Sequence, residues 1–297
     1  MPTRLDRIVT RARACPPLRT AIVNPVDLMD VVAVEQAAGL IHAVLVGPKT
    51  AIEDAARRAG VSLDQCTFVE AADAEQACRA AVELARRGEV DALMKGSLHT
   101  DDFMRVIVAE RDLHTRRRMS HVAVIETPAL TRLLFVSDGA INIAPTLEEK
   151  RDITQNAIDL ARVLGVELPR VAILAAIETV SSHLPATIDA AALAKMADRK
   201  QIVGGIVDGP LAIDDAVSAD AARVKGIVSP VAGCAEILIA PDLNAANLLF
   251  KEIEYFSNGR CADVVVGARI PIILTSRADD ALARVASMAL ASLVKNA

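Results

Sequence analysis

The sequence has few aromatic residues, and this limits how its core can be built. It contains no tryptophan, one tyrosine and five phenylalanines in 297 residues, although 53% of the residues are hydrophobic. Alanine, valine, isoleucine and leucine must therefore fill the interior, and close packing of small side chains has to replace large rings.

The cysteine and histidine patterns of zinc sites and disulfide frameworks are also missing. The five cysteines stand at positions 15, 66, 78, 234 and 261, and neither a C-x-x-C pair nor an H-x-x-x-H pair occurs. The pattern supports neither a zinc site nor a disulfide framework, so we expect no metal. Scattered cysteines in odd number are typical of a reducing compartment, and a cytoplasmic location is expected.

Charge and hydropathy argue against two further classes of partner. The net charge is −5, and the short basic cluster at 116–118 is interpreted as a solvated loop, because nucleic-acid binding needs a larger basic surface. The first residues are too highly charged for a secretory signal, and no apolar run reaches the roughly 18 residues that span a bilayer. We therefore expect neither a nucleic-acid partner nor a membrane partner.

Short apolar runs rich in β-branched residues alternate with helical patterns along most of the chain. Strands are predicted at 19–23, 41–46, 67–69, 90–94, 171–177, 201–207, 237–240 and 270–274. This alternation is typical of parallel, doubly wound α/β sheets. The runs at 121–125 and 133–136 are too close together for a crossover helix, so they predict a hairpin. The pattern predicts two α/β domains with a cleft between them, the first comprising 1–140 and 267–297 and the second 141–266.

Four polar loops follow apolar strands, at 95–100, 208–211, 241–244 and 276–279. In parallel sheets, ligands bind beyond the carboxyl ends of the strands. Each loop alone is explained by turn geometry, but together they indicate an enzyme acting on an anionic small molecule. The candidate substrate-binding residues on the first three loops are Lys95, Ser97, His99, Thr100, Asp208, Asp242 and Asn244.

The strand at 270–274 ends in a hydroxyl and a guanidinium, just before a helix. Ser276 and Arg277 stand beside the helix start, where free N–H groups favour an anion. The planar guanidinium of Arg277 matches phosphate or carboxylate oxygens. The alternative interpretation is that Arg277 pairs with Asp279 or Asp280 at a helix cap. Glycine patterns elsewhere match neither a P-loop nor a dinucleotide fingerprint.

Six segments in one order resemble the phosphate acetyltransferase/phosphate butyryltransferase family. They are MKGSLHTD at 94–101, INIAP at 141–145, QNAIDL at 155–160, DGPL at 208–211, PDLN at 241–244 and LTSRAD at 274–279. The resemblance implies an isocitrate/isopropylmalate dehydrogenase-like fold whose chain returns at its end to the first domain. It also implies a homodimer that transfers a short acyl group between coenzyme A and inorganic phosphate, with no cofactor and with acyl-CoA, phosphate and acyl phosphate as partners.

The resemblance further implies direct thiol attack on acyl phosphate in a ternary complex. Ser276 would hydrogen-bond the reacting carbonyl or phosphate, and Arg277 would stabilise the developing charge. Typical phosphate acetyltransferases carry an Asp seven residues after this Ser, whereas this chain has Ala283. Asp279 or Asp280 is therefore our hypothesis for the base, and helix capping is the alternative. Lys95 and Arg105 are candidates for the phosphates of coenzyme A.

Two other functions are compatible with these loops. One is a metal- and NAD(P)-dependent dehydrogenase of the same fold, although no cluster of metal-binding Asp or His is evident. The other is a non-catalytic subunit that binds coenzyme A or acyl phosphate.

Overall fold

The computed structural model describes residues 2–297. The strands are β1 (Leu18–Val23), β2 (Ile41–Gly47), β3 (Thr67–Glu70), β4 (Ala92–Lys95), β5 (Ser120–Glu126), β6 (Leu134–Ser137), β7 (Arg170–Leu174), β8 (Ile206–Leu211), β9 (Ile237–Ile239), β10 (Arg260–Val266) and β11 (Ile272–Ile273). The helices are α1 (Arg4–Ala12), α2 (Leu28–Gln36), α3 (Lys49–Ala59), α4 (Ala74–Arg86), α5 (Thr100–Ala109), α6 (Leu147–Val163), α7 (Pro185–Asp198), α8 (Ile213–Val217), α9 (Ala219–Val224), α10 (Leu243–Phe256) and α11 (Ala281–Lys295).

The chain folds into two compact units, formed by 1–117 with 262–297 and by 118–261. In the first unit the strand order is β3-β2-β1-β4-β11-β10. The strands from β3 to β11 run parallel, and β10 is antiparallel to β11. In the second unit the order is β5-β6-β9-β7-β8, with β5 and β6 forming the antiparallel hairpin that the sequence predicts. The predicted α/β fold class is confirmed.

Aliphatic side chains fill the interiors of both units, as the lack of large aromatics requires. In the first unit Ile22, Leu45 and Leu93 are fully buried on neighbouring strands. The helix α11 packs on α1 and α2, and most of its residues are buried. A helix that is apolar around most of its surface is stable only inside a protein, which explains its place here.

The domain boundaries in the structure differ from the predicted ones. Both strands of the hairpin belong to the second unit, whereas the prediction placed them in the first. The reason is strand pairing, because β6 runs parallel to β9 through Phe135 and Ile237 and so extends the sheet of the second unit.

Several elements were missed or misplaced by sequence patterns. The helix α1 was not predicted because charged residues hide its apolar face, although Leu5, Ile8 and Ala12 are buried at helical spacing. The strand β10 was also overlooked, since Asp263 interrupts its apolar run. The strand β8 starts later than predicted, so Asp208 lies within the strand and not in a loop after it.

The loop after β4 lies directly against the end of β1. The N–H of Gly96 donates to the carbonyl of Val23 at 2.9 Å, and the N–H of Ser97 donates to that of Asn24 at 3.0 Å. The side-chain amide of Asn24 donates in turn to the carbonyl of Ser97 at 2.8 Å. A Cβ on Gly96 would stand 2.5 Å from the Val23 carbonyl oxygen. The close approach therefore requires glycine at this position.

We predict that Gly96→Ala lowers the free energy of unfolding by about 1–3 kcal/mol, because the added methyl group forces the two backbones apart. Urea denaturation measures the loss, and hydrogen exchange should show faster exchange at residues 96–98. Gly60→Ala is the control: Gly60 has φ 70°, so alanine strains the backbone there too, but no atom lies within 4 Å of the added Cβ, and exchange at 96–98 should stay unchanged. Parental stability in Gly96→Ala would contradict the close approach.

Candidate active site

Two polar loops of the first unit leave the same edge of its sheet. Strands β4 and β11 are parallel, with Leu93 opposite Ile272 and Met94 opposite Ile273. Their carboxyl ends therefore point the same way, and the segments beginning at Lys95 and at Thr275 emerge side by side. The parallel-sheet rule predicts a ligand at this edge.

The segment 276–279 is a tight turn held by its own polar groups. The N–H of Ser276 donates to Asp279 Oδ2 at 2.7 Å, and the N–H of Asp279 donates back to the Ser276 carbonyl at 3.2 Å. The Ser276 hydroxyl accepts the N–H of Ala278 at 3.2 Å. Asp279 is buried, so its carboxylate shapes the turn.

Arg277 and Asp280 are exposed beside this turn. Asp280 caps α11, accepting the N–H of Ala283 on Oδ1 at 2.8 Å. The guanidinium of Arg277 makes no hydrogen bond or ion pair with any of residues 2–297, so the alternative pairing of Arg277 with Asp279 or Asp280 is not formed. Arg277 is thus a solvent-accessible cation next to a fixed hydroxyl.

A buried ion pair lies behind the turn. Arg284, on α11, is 2% exposed, and its Nη1 donates to Oδ1 of Asp30 on α2. Asp30 Oδ2 accepts the hydroxyl of Ser97 at 2.7 Å. Burial raises the pKa of the Asp30 carboxyl, while the charge of Arg284 and the hydrogen bond from Ser97 oppose that rise. These groups form a single charged network beneath both loops.

Lys95 stands at the end of β4, in the same region of charge. Its side chain is buried, and Nζ donates to the carbonyls of Gly96 at 3.3 Å and Leu98 at 3.4 Å. Burial lowers the pKa of Lys95 to about 8, and the carboxylate of Asp30 partly offsets this. Lys95 is therefore an ammonium group whose charge is weakened by its surroundings.

The other predicted residues of this loop lie nearer the surface. His99 is exposed at the N-cap position of α5 and makes no capping bond with its side chain. Thr100 is the first residue of this helix. Thr275, which the sequence did not single out, is buried, and its hydroxyl has no hydrogen-bond partner among residues 2–297.

Of the predicted site residues, Asp208, Asp242 and Asn244 belong to the second unit. Asp208 Oδ1 accepts the N–H of Gly209 at 2.9 Å. Asp242 caps α10 by accepting the N–H of Ala245 at 3.0 Å, and Asn244 is exposed on the same helix. The contacts of the two aspartates are those of a local turn and a helix cap.

One carboxylate cluster in the described part of the chain has metal-binding proportions. It consists of Glu178, Asp214 and Asp215. Lys225 Nζ lies 2.9 Å from carboxylate oxygens of both Glu178 and Asp214, and 3.2 Å from Asp215. The lysine ammonium therefore already supplies a cation to this cluster.

Besides Thr275, sequence reasoning missed Asp30 and Arg284. They are 254 positions apart, and Asp30 has an ordinary role in the capping box that starts α2. One signal was available for Arg284, because it is a lone charge within an otherwise apolar stretch of α11. A charge in such a position is rarely left unpaired.

We predict that Lys95 makes the fold more stable as pH rises from about 8 to 10.5. In this window the unfolded chain keeps the Lys95 proton and the folded chain releases it, so folding is favoured by raising the pH. The contribution is at most about 3 kcal/mol. Urea denaturation at pH 7.5 and pH 10 should give a smaller gain in Lys95→Met than in the parent. An equal gain in both proteins would contradict the lowered pKa.

Within residues 2–297, none of the helices combines the length and the apolar character needed to span a membrane.

The chain matches the family described as "Phosphate acetyl/butaryl transferase" over residues 74–292. It is 48% identical to phosphate acetyltransferase of Rhizobium meliloti over 98% of this chain and 93% of that protein. It is 39% identical to phosphate butyryltransferase of Clostridium beijerinckii over 99% and 98% of the two chains.

The fold agrees with these relatives. A solved branched-chain phosphotransacylase from Enterococcus faecalis V583 superposes with a TM-score of 0.81 at 25% identity, covering 94% of this chain and 99% of that one. Solved dehydrogenases share the fold more weakly. The chain therefore belongs to the phosphate acetyl/butyryl transferase family.

Proposed function

We propose that this enzyme reversibly transfers a short acyl group, acetyl or butyryl, between coenzyme A and inorganic phosphate. The observation that carries the proposal is the exposed, unpaired guanidinium of Arg277 beside Ser276, on a turn held by hydrogen bonds. In a member of this family, that pair of groups matches an acyl phosphate, which offers phosphate oxygens and a carbonyl next to each other.

The reaction is a direct acyl transfer that needs no redox cofactor. The thiolate sulfur of coenzyme A attacks the carbonyl carbon of acyl phosphate, the C–S bond forms, and the C–O bond to phosphorus breaks. Phosphate leaves with the electron pair, and the thiol proton passes to a base. The reverse reaction begins with attack by a phosphate oxygen on the thioester. Coenzyme A is a substrate in this scheme, and no metal takes part.

Ser276 and Arg277 have distinct roles in this proposal. Negative charge develops on the carbonyl oxygen and on the leaving phosphate, and Arg277 stabilises it. The Ser276 hydroxyl accepts the N–H of Ala278 and donates its own proton to the carbonyl or phosphate oxygen. The start of α11 adds N–H groups and partial positive charge nearby.

The proposed base is one of the two aspartates that follow. Asp279 is buried and shapes the turn, whereas Asp280 is exposed and capping occupies one of its oxygens. Exposure favours Asp280, since a base must reach the thiol proton. The half-buried Ala283 offers no carboxyl group.

Substrate binding is assigned to the remaining candidates. In the first unit these are Lys95, Ser97, His99 and Thr100, with Arg105 as a further candidate for the phosphates of coenzyme A, although Arg105 also pairs with Asp102 at 2.8 Å. In the second unit they are Asp208, Asp242 and Asn244. We also propose a homodimer in the cytoplasm, without membrane or nucleic-acid partners, as the family resemblance and the charge balance indicate.

We predict that Arg277→Ala lowers kcat by about 10²-fold or more, because it removes a charge that stabilises the transition state. The measurement is phosphate-dependent release of free thiol from acetyl-CoA and butyryl-CoA. Arg79→Ala is the control, since Arg79 is also exposed and pairs only with Glu75 on α4. A near-normal rate in Arg277→Ala would rule out its role.

We predict that Asp280→Asn lowers turnover by about 10²-fold while stability is kept, because Asn caps a helix as well as Asp but is no base. Thiol consumption from acyl phosphate and coenzyme A measures turnover, and urea denaturation measures stability. Asp279→Asn is assayed in parallel. If both variants turn over normally, neither aspartate is the base.

A series of acyl-CoA substrates of increasing chain length, with and without phosphate, identifies the acyl group. Release of thiol only when phosphate is present supports the transferase. Ligand binding without turnover for any chain length would instead indicate the non-catalytic binding subunit.

A further inference from the structure

We propose that Arg284 and Asp30 form a positioning pair, which holds the turn carrying Ser276 and Arg277 against the loop carrying Ser97. The inference rests on the proposed transfer for its kinetic consequence, but its structural part stands separately. Neither residue is assigned to contact substrate.

Apart from its contact with Asp30, the guanidinium of Arg284 donates hydrogen bonds to the backbone of the turn at 276–279. Its Nε donates to the carbonyl of Asp279 at 3.1 Å, and its Nη2 donates to those of Ser276 at 3.4 Å and Arg277 at 3.3 Å. Three backbone carbonyls of one short turn are thus held by one side chain. A guanidinium is suited to this because its donors point in fixed directions.

Asp30 connects the turn at 276–279, through Arg284, to the loop that carries Ser97. One of its oxygens accepts from Arg284, and the other accepts the hydroxyl of Ser97 at 2.7 Å. The backbone of Ser97 is in turn bonded to Asn24 at the end of β1. A single buried carboxylate therefore joins the loop after β4 to the turn after β11.

The contacts of Arg284 and Asp30 fix the positions of the two loops, and this effect is more specific to the pair than any gain in stability. A buried ion pair is often no more stabilising than apolar residues of the same volume. An apolar pair here would fill the space between α2 and α11 but would leave the three carbonyls and the Ser97 hydroxyl without these partners. Because reacting groups must be held within a fraction of an ångström, this hold bears on the rate of transfer.

The kinetic test compares Arg284→Met, Arg284→Lys and Asp30→Asn with the parent. We expect kcat per folded molecule to fall by about 10²-fold in Arg284→Met, with KM for acyl-CoA within about threefold of the parent. Arg284→Lys keeps the charge opposite Asp30 but cannot reach three carbonyls, so kcat should recover only in part. Asp30→Asn should lower kcat in the same direction.

The matched control is Lys150→Met in the second unit. Lys150 is buried and pairs at 2.7 Å with Asp189, which is half-buried, so this change also removes a buried cation from its carboxylate partner. It should lower stability and leave kcat per folded molecule unchanged. Parental kcat in Arg284→Met, or an equal loss of kcat in Lys150→Met, would overturn the proposal.

Hydrogen exchange on the ligand-free chain tests the positioning without any assay of turnover. Exchange at residues 276–279 and 96–98 should be faster in Arg284→Met and in Asp30→Asn, and unchanged in Lys150→Met. If Arg284→Met does not fold, Arg284→Lys and Asp30→Asn are read in its place. A parent with no turnover on any acyl-CoA would contradict the proposed function. The hydrogen-exchange result alone would then show whether Arg284 and Asp30 hold the two loops in place. Unchanged exchange in both loops overturns the pair.

Discussion

The first unit depends on charges that are buried within it. Removing one partner of a buried ion pair typically costs about 3–5 kcal/mol, because the other charge is left without compensation. Arg284 and Asp30 meet this condition, as both side chains are almost fully buried. The neighbouring polar groups supply matching partners: the carbonyls of Ser276, Arg277 and Asp279 accept from Arg284, and the hydroxyl of Ser97 donates to Asp30. The geometry of the loops follows from satisfying these charges.

The small side chains of the core make this burial possible. The helix α11 is largely alanine, leucine and other aliphatic residues, and it packs against both α1 and α2. Small residues let helix axes approach closely, which brings the guanidinium of Arg284 within reach of Asp30. Larger side chains at this contact would move the two helices apart, so the small residues of α11 favour the contact between Arg284 and Asp30.

The sequence predicts local features of this protein better than distant ones. Strands and helices follow from periodicity, and the shared edge of Lys95 and Ser276 follows from the parallel-sheet rule, so the fold class and the loops were accessible. The network behind them was not, because Asp30 and Arg284 are joined only by the packing of α11 on α2. The strand β10 and the extent of β8 were likewise set by pairing within the sheet, which a pattern in one segment does not contain.

The residue at position 283 is related to the choice of acidic partner for Arg284. It lies in the first turn of α11, where its N–H is taken by Asp280, and it directly precedes Arg284. A carboxylate at position 283 would add a second acidic group within one residue of that arginine. Here the acidic partner of Arg284 comes from α2, and the exposed carboxylate near the turn is that of Asp280. The guanidinium of Arg284 is committed to the turn and to Asp30, so it is Arg277 that remains free to meet an anion.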